Sequence, residues 1–131
     1  MKKMKKSTLF LIASFVFMLC SCVKPSEKLS GNYSGNSTST AVEPCTVSIV
    51  ASGDAKVNFT MTYTNISFYS SLIGLPVSMS GENVVFSYAG ATTAEGVITY
   101  LNGTLSGNTL NFSWTIYFST GSLSGTFSGT K

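Results

Sequence analysis

The chain has 131 residues, with eight Lys, five acidic side chains, no His and a formal charge of +3. It contains no Arg, and only 10% of its residues are charged, so a basic patch cannot form and nucleic-acid binding is excluded. The lack of His removes the commonest general base, the usual activator of a nucleophilic thiol, and axial His ligation of haem.

At the N-terminus Lys2, Lys3, Lys5 and Lys6 precede an apolar run from Leu9 to Leu19. A charged segment, a short apolar segment and small residues at the cut describe a secretory signal peptide over residues 1–21. A run of about eleven apolar residues is too short to cross a ~30 Å hydrocarbon core, which argues against a transmembrane anchor. The stretch Leu19-Cys20-Ser21-Cys22 resembles the lipobox of bacterial lipoproteins, with Leu three before a Cys and Ser just before it. The resemblance implies that Cys22 is lipidated, becomes the first residue after cleavage and ties the protein to a membrane. Several acyl chains on one residue exceed the two signals that stable anchoring needs. Cleavage without a lipid is the other open reading, because Cys20 occupies an otherwise ordinary lipobox position.

Cutting before Cys22 leaves residues 22–131, which is 110 residues and enough for one compact domain. Four Lys (Lys24, Lys28, Lys56, Lys131) then face five acids (Glu27, Glu43, Asp54, Glu82, Glu95), a net charge of −1. The remaining surface must be Ser, Thr, Asn and Gly, a composition suited to an extracytoplasmic β-protein. With Cys22 acylated, Cys45 has no partner inside the chain and no disulfide framework is expected. A catalytic thiol would need a base, so Cys45 is expected to be a buried structural residue.

Residues 22–30 read as the lipidated Cys and a short tether, and residues 31–131 as the folded domain. Gly31-Asn32-Tyr33-Ser34-Gly35 opens a strand expected to run to about Thr40, with Glu43-Pro44 breaking it. Cys45, Val47, Ile49 and Ala51 alternate with polar neighbours, and after the Ser52–Ala55 turn so do Val57, Phe59, Met61 and Tyr63. These make a hairpin. Ile66, Phe68 and Leu72 could extend a strand, while Tyr69 to Gly74 reads as an apolar loop or helical turn, and Pro76 marks an edge or strand start. Val77 and Met79 precede a turn at Gly81-Glu82-Asn83. Strands follow at Val84–Ala89 and Val97–Leu101, separated by a loop over residues 90–96. Gly107-Asn108 sits between Thr104–Ser106 and Thr109–Phe112 as a two-residue hairpin turn. Leu110, Phe112, Trp114, Ile116 and Phe118 share one face of the next strand, and after Thr120-Gly121 the last strand carries Leu123, Gly125, Phe127 and Gly129.

About eight short strands with hairpin spacing and no helices to cover sheet edges point to closure. The expected fold is an all-β, eight-stranded antiparallel up-and-down barrel, with a small β-sandwich as the alternative. Gly31–Gly35, the Leu105–Phe112 hairpin and the ending Gly125–Lys131 resemble the calycin-like (lipocalin-like) lipoproteins of Bacteroides-type bacteria. That resemblance implies a barrel with a small apolar ligand in its mouth, in an outer-membrane lipoprotein. A lipocalin usually carries Gly-x-Trp on its first strand and a late Arg that closes the base. Here Tyr33 replaces the Trp, and Arg is absent.

Two function classes remain open. In the first, the chain is a binding protein for a small hydrophobic molecule, lined by Val57, Phe59, Met61, Phe86, Tyr88, Phe112, Trp114 and Ile116, unless these residues simply fill the core. In the second, the barrel is a filled scaffold for an interaction protein, with Tyr69, Leu72, Ile73 and Leu75 as the contact loop for a protein or membrane, or else as a plug over one barrel end. Catalytic residues, metal ligands and cofactors are not expected, since no acid–base pair, metal cluster, nucleophile elbow or phosphate loop is present. The Asn-x-Ser/Thr matches at Asn58, Asn65 and Asn111 are what such a composition yields by chance. One acid, Glu27, follows Cys22 closely, so the sequence leaves the membrane face open.

Overall fold

The computed structural model describes residues 23–91 and 94–131. The signal segment 1–21 and the lipidation reading of Cys22 lie outside those residues. A short helix α1 (Pro25–Leu29) leads into strands β1 (Gly31–Thr38), β2 (Val42–Gly53), β3 (Lys56–Tyr63), β4 (Phe68–Ser80), β5 (Asn83–Ala89), β6 (Val97–Ser106), β7 (Thr109–Tyr117) and β8 (Leu123–Thr130). Each strand pairs with the next, and β1 pairs antiparallel with β8, so the sheet closes into an up-and-down barrel.

Side-chain alternation sets which face turns inward. Val57, Phe59, Met61 and Tyr63 are buried on β3, and Leu110, Phe112, Trp114 and Ile116 on β7, while Asn111 and Ser113 face out. Two-residue turns at Asp54-Ala55, Gly81-Glu82 and Gly107-Asn108 gather at one end, the base. Gly81 and Gly107 supply the left-handed φ of 63° and 60° that such turns require. The opposite end, the mouth, carries the longer connections 39–41, 64–67 and 118–122, together with residues 90, 91 and 94–96.

The closing seam is built on glycine. Gly35 stands opposite Gly129 across β1 and β8. A Cβ on Gly35 would strike the Ser128 carbonyl and the Gly129 backbone, and one on Gly129 would lie 2.7 Å from the Ser34 carbonyl and 2.5 Å from the Phe127 ring. Only a pair of bare backbones allows this approach.

Three local expectations change. The segment read as a tether instead carries α1, started by Pro25, which is pre-set for a first helical turn. Leu29 is completely buried under the barrel, Ser26 Oγ donates to the Asp54 carbonyl at 2.9 Å, and Tyr33 OH donates to the Leu29 carbonyl at 2.6 Å. Five helical residues are too few to display a period, so the sequence concealed this seal.

Glu43-Pro44 does not break a strand. β1 ends at Thr38, and β2 runs through Pro44, which pairs with Asn36. The β2–β3 ladder begins one residue later, at Cys45 opposite Tyr63, so the missing N–H falls at the rim.

The stretch Tyr69–Pro76 is neither a loop nor a plug, but the barrel wall. β4 passes through it with a bulge, because Val57 faces Leu75 while Phe59 faces Leu72. Gly74 takes a φ of 73°, and its N–H donates to Asn58 Oδ1 at 3.2 Å. The extra residue shifts the inward phase from Ser70 and Leu72 to Leu75 and Val77, which disguised the strand. Pro76 closes the β3–β4 ladder opposite Lys56, and the β4–β5 ladder starts at the next residue, Val77.

Leu29→Ala is expected to lower the unfolding free energy by about 2–5 kcal/mol. The measurement is urea unfolding followed by Trp114 fluorescence. An unchanged midpoint would mean that α1 does not seal the base.

The mouth cavity as candidate functional site

The interior divides into three levels. At the base, Leu29 and Tyr33 fill the space above α1. In the middle, rings pack tightly: Phe112 stacks on Phe127 at 4.9 Å and 19°, and meets Phe59 edge-on at 5.2 Å and 81°. At this level the interior is occupied by buried, mutually contacting side chains. At the mouth lies a cavity of about 450 Å³, within the size range of small-molecule sites.

The cavity walls come from the upper ends of several strands and the loops between them. Ile66, Phe68, Ile116, Phe118 and Leu123 make them apolar, with Phe68 and Phe118 in ring contact at 5.9 Å. Glu43 and the 39–41 turn form part of the rim. On the far side of the opening, the Ser119 N–H and hydroxyl hold the Glu95 carboxylate below the usual carboxylate range. Ser67, in the β3–β4 loop beside Ile66, adopts a left-handed φ of 49°, a conformation uncommon for a residue with a side chain.

The floor is polar and ordered. The Trp114 indole N–H donates to Ser37 Oγ at 2.9 Å, and Ser37 Oγ shares a 2.9 Å hydrogen bond with the Tyr63 hydroxyl. All three side chains are buried and all three line the cavity. The two hydroxyls own two hydrogens, and their mutual bond uses one. Whichever way that bond runs, the other hydroxyl hydrogen remains available to an acceptor. Burial pushes the Tyr63 hydroxyl up to about 12, so it stays a neutral donor at physiological pH.

The residues singled out from sequence separate by level. Trp114 and Ile116 line the mouth cavity. Val57, Phe59, Met61 and Phe112 are buried beneath it. Phe86 is buried too, beside an outer hollow of about 360 Å³ where β4 and β5 part, and Tyr88 is half-buried against the core. Of the β4 candidates, Tyr69 and Ile73 are 69% and 82% exposed on the outer wall, Leu72 is half-buried and Leu75 is fully buried. They do not form one surface.

Sequence reasoning missed Ser37, Tyr63, Ile66, Phe68, Phe118 and Leu123 as cavity residues. Ser37 was traceable in principle, since it shares the inward face of β1 with Tyr33 and Gly35. A Ser in a Ser/Thr-rich run, however, gives no hydrophobic signal. Cys45 is buried next to this region, and its thiol is pushed up to about 11 by burial. Among the described residues no group of three or more His, Cys, Asp or Glu is placed to hold a metal ion.

No family model matches the sequence, and no curated protein matches it either. The fold is similar to a crystal structure from Bacteroides fragilis, provisionally described as an outer membrane protein, with a TM-score of 0.64 and 21% identity. The similarity covers 83% of this chain and 53% of the other, so this chain spans about half the length of that protein. At this identity the likeness establishes the shared barrel.

Burial raises Tyr33 and Tyr63 to about 12 and Cys45 to about 11. Unfolded Cys and Tyr ionise near ~8.5 and ~10, so on raising the pH the unfolded chain loses these protons first. Their contribution to stability is complete below about pH 8.5 and is lost as pH rises through about 12. Urea midpoints are therefore expected to be level from neutral pH to about pH 8.5 and to fall steadily from there to about pH 12. A midpoint that rises with alkali would contradict the placement of these groups.

Proposed function

We propose that the protein is a lipid-anchored, calycin-like binding protein of the bacterial cell envelope. In this reading its barrel mouth holds a small, mainly apolar molecule that carries a hydrogen-bond acceptor. The observation that carries the proposal is the apolar cavity standing on the Ser37–Tyr63–Trp114 floor, where one hydroxyl hydrogen is left over. Apolar walls supply affinity by burying the ligand's surface, and a single buried donor fixes which end enters first. The site offers binding chemistry, apolar walls with one hydrogen-bond donor between them.

The base supports the calycin-like assignment. Gly31-Asn32-Tyr33 stands in place of Gly-x-Trp, and the cation missing as Arg is supplied by Lys131. Its Nζ lies 5.5 Å from the centre of the Tyr33 ring and donates to the Lys28 carbonyl at 3.1 Å. A late cation over the first-strand aromatic closes the base with different residues.

Attachment by lipid is favoured over a membrane-spanning barrel by the direction of the side chains. Asn111, Ser113, Thr126 and Ser128 point outward and are exposed, most large apolar side chains point inward, and the outward ones, such as Val50, Ile73 and Tyr100, are scattered among polar neighbours. A spanning barrel needs the reverse, an apolar band on its outer face. The filled middle of the barrel keeps one competitor in play, a scaffold lipoprotein with no small-molecule ligand.

Native mass spectrometry of the protein purified from bacterial membranes tests the proposal, with Trp114 emission followed during delipidation. The expected result is a discrete co-purifying mass whose loss shifts the emission. Once the ligand is known, Tyr63→Phe is expected to weaken it roughly 2- to 10-fold, the worth of one neutral hydrogen bond. A ligand-free mass with unchanged emission would establish the scaffold reading instead. The intact mass of the same sample reports acylation of Cys22.

A further inference from the structure

We infer that the sealed base of the barrel is a foot that rests on anionic phospholipid headgroups, so that the mouth opens away from the membrane. The inference rests on the reading that Cys22 carries a lipid, and it concerns a different face of the molecule from the cavity.

The charges are sorted by end. All four lysines outside the signal segment lie at the base: Lys24 and Lys28 at α1, Lys56 as the first residue of β3, and Lys131 after β8. Glu27, Asp54 and Glu82 share this end, while Glu43 and Glu95 stand at the mouth. Counting side chains alone, four cations against three carboxylates give the base +1, and the mouth carries −2.

The base cations are held in place around the helix. Lys24 pairs with Asp54 at 3.0 Å, with their side chains 51% and 81% exposed. The Lys28 ammonium donates to the Glu82 carbonyl, and that of Lys131 to the Lys28 carbonyl at 3.1 Å. These partners fix the stems while Lys24, Lys56 and Lys131 remain exposed to solvent.

The docking of α1 gives this arrangement its consequence. With α1 packed on the base, the linker shrinks from the eight residues of a free tether to Val23 and Lys24. Three Cα steps from Cys22 to Pro25 reach at most about 11 Å, close to the Debye length of ~8–10 Å over which exposed charges act. An acylated Cys22 would therefore keep the base inside the field of the headgroups. Each lysine near an anionic surface strengthens binding roughly fivefold, whereas turning the mouth toward it would bring two carboxylates into a repelling field. Val23, 56% exposed, lies between the lipid and the foot, where an apolar side chain can enter the interface.

Hydrogen–deuterium exchange of the mature, full-length protein on vesicles tests the orientation. Vesicles of phosphatidylcholine alone are compared with vesicles containing phosphatidylglycerol. On the anionic vesicles the base turns Asp54-Ala55, Gly81-Glu82 and Gly107-Asn108 are expected to exchange severalfold more slowly. High salt should reverse the effect, and the mouth connections 39–41, 64–67 and 118–122 should not change. Lys24→Gln combined with Lys56→Gln is expected to reduce the protection about fivefold or more. Equal protection on neutral vesicles would overturn the assignment to anionic headgroups, and protection at the mouth would overturn the orientation. If the intact mass shows no acyl group, yet the base is still protected on anionic vesicles, the lipid reading fails and the foot stands.

Discussion

The molecule depends on one close approach, that of β1 to β8 at Gly35 and Gly129. Every other strand pairing joins sequence neighbours through a turn or short loop, but this one joins the first strand to the last and receives no help from chain connectivity. Two bare backbones meet where any side chain would collide with a carbonyl. Without that seam the sheet would keep two unpaired edges, Leu29 would have no ring to fill, and the cavity would be an open groove. Closure is what creates an inside, a base and a mouth.

Closure also explains why a small domain without a disulfide can hold together. Among the described residues Cys45 is the one free cysteine, and it is buried as packing. The load falls on aromatic side chains inside the barrel, where Phe59, Phe86 and Phe127 meet around a single ring, Phe112. These rings occupy volume that a larger barrel would offer to a ligand. The available space is thereby displaced upward, above Trp114, whose indole N–H needs a partner once buried and finds it in Ser37. The polar floor is thus a requirement of packing.

The wall of the barrel was legible in the sequence because period-two alternation survives wherever strands run undisturbed. β3 and β7 display it in full, and Gly107-Asn108 marks its own turn. Legibility failed where geometry departed from the period. The bulge at Gly74 shifts β4 by one residue and makes a wall strand resemble a loop. Pro44 suggests a break although the adjoining ladder has not yet begun. The helix α1 is too short for any periodic signal, and only its burial in three dimensions reveals it as a seal. The candidate site was half-visible for a related reason. Apolar stripes announce that residues point inward, but not at which height along the barrel, and height separates core from cavity. Trp114 and Ile116 belong to the same stripe as Phe112, yet two residues along a strand carry the chain from packed interior to open mouth.

The two ends of the barrel follow from the order of the chain. An up-and-down barrel with an even number of strands returns its last strand to the end where the first began. The N-terminal helix and the C-terminal Lys131 therefore meet at the same pole. Once α1 and Lys131 have closed that pole over Tyr33, the only opening left for a cavity is the opposite one, and the longer connections gather there. An anchor at the N-terminus would then hold the molecule by its closed end. The separation of the N-terminal end from the opening is thus a product of strand parity and of where the seal comes from, and it needs no further residue to enforce it. An odd number of strands would bring the C-terminus to the mouth and take the late cation away from the first-strand aromatic.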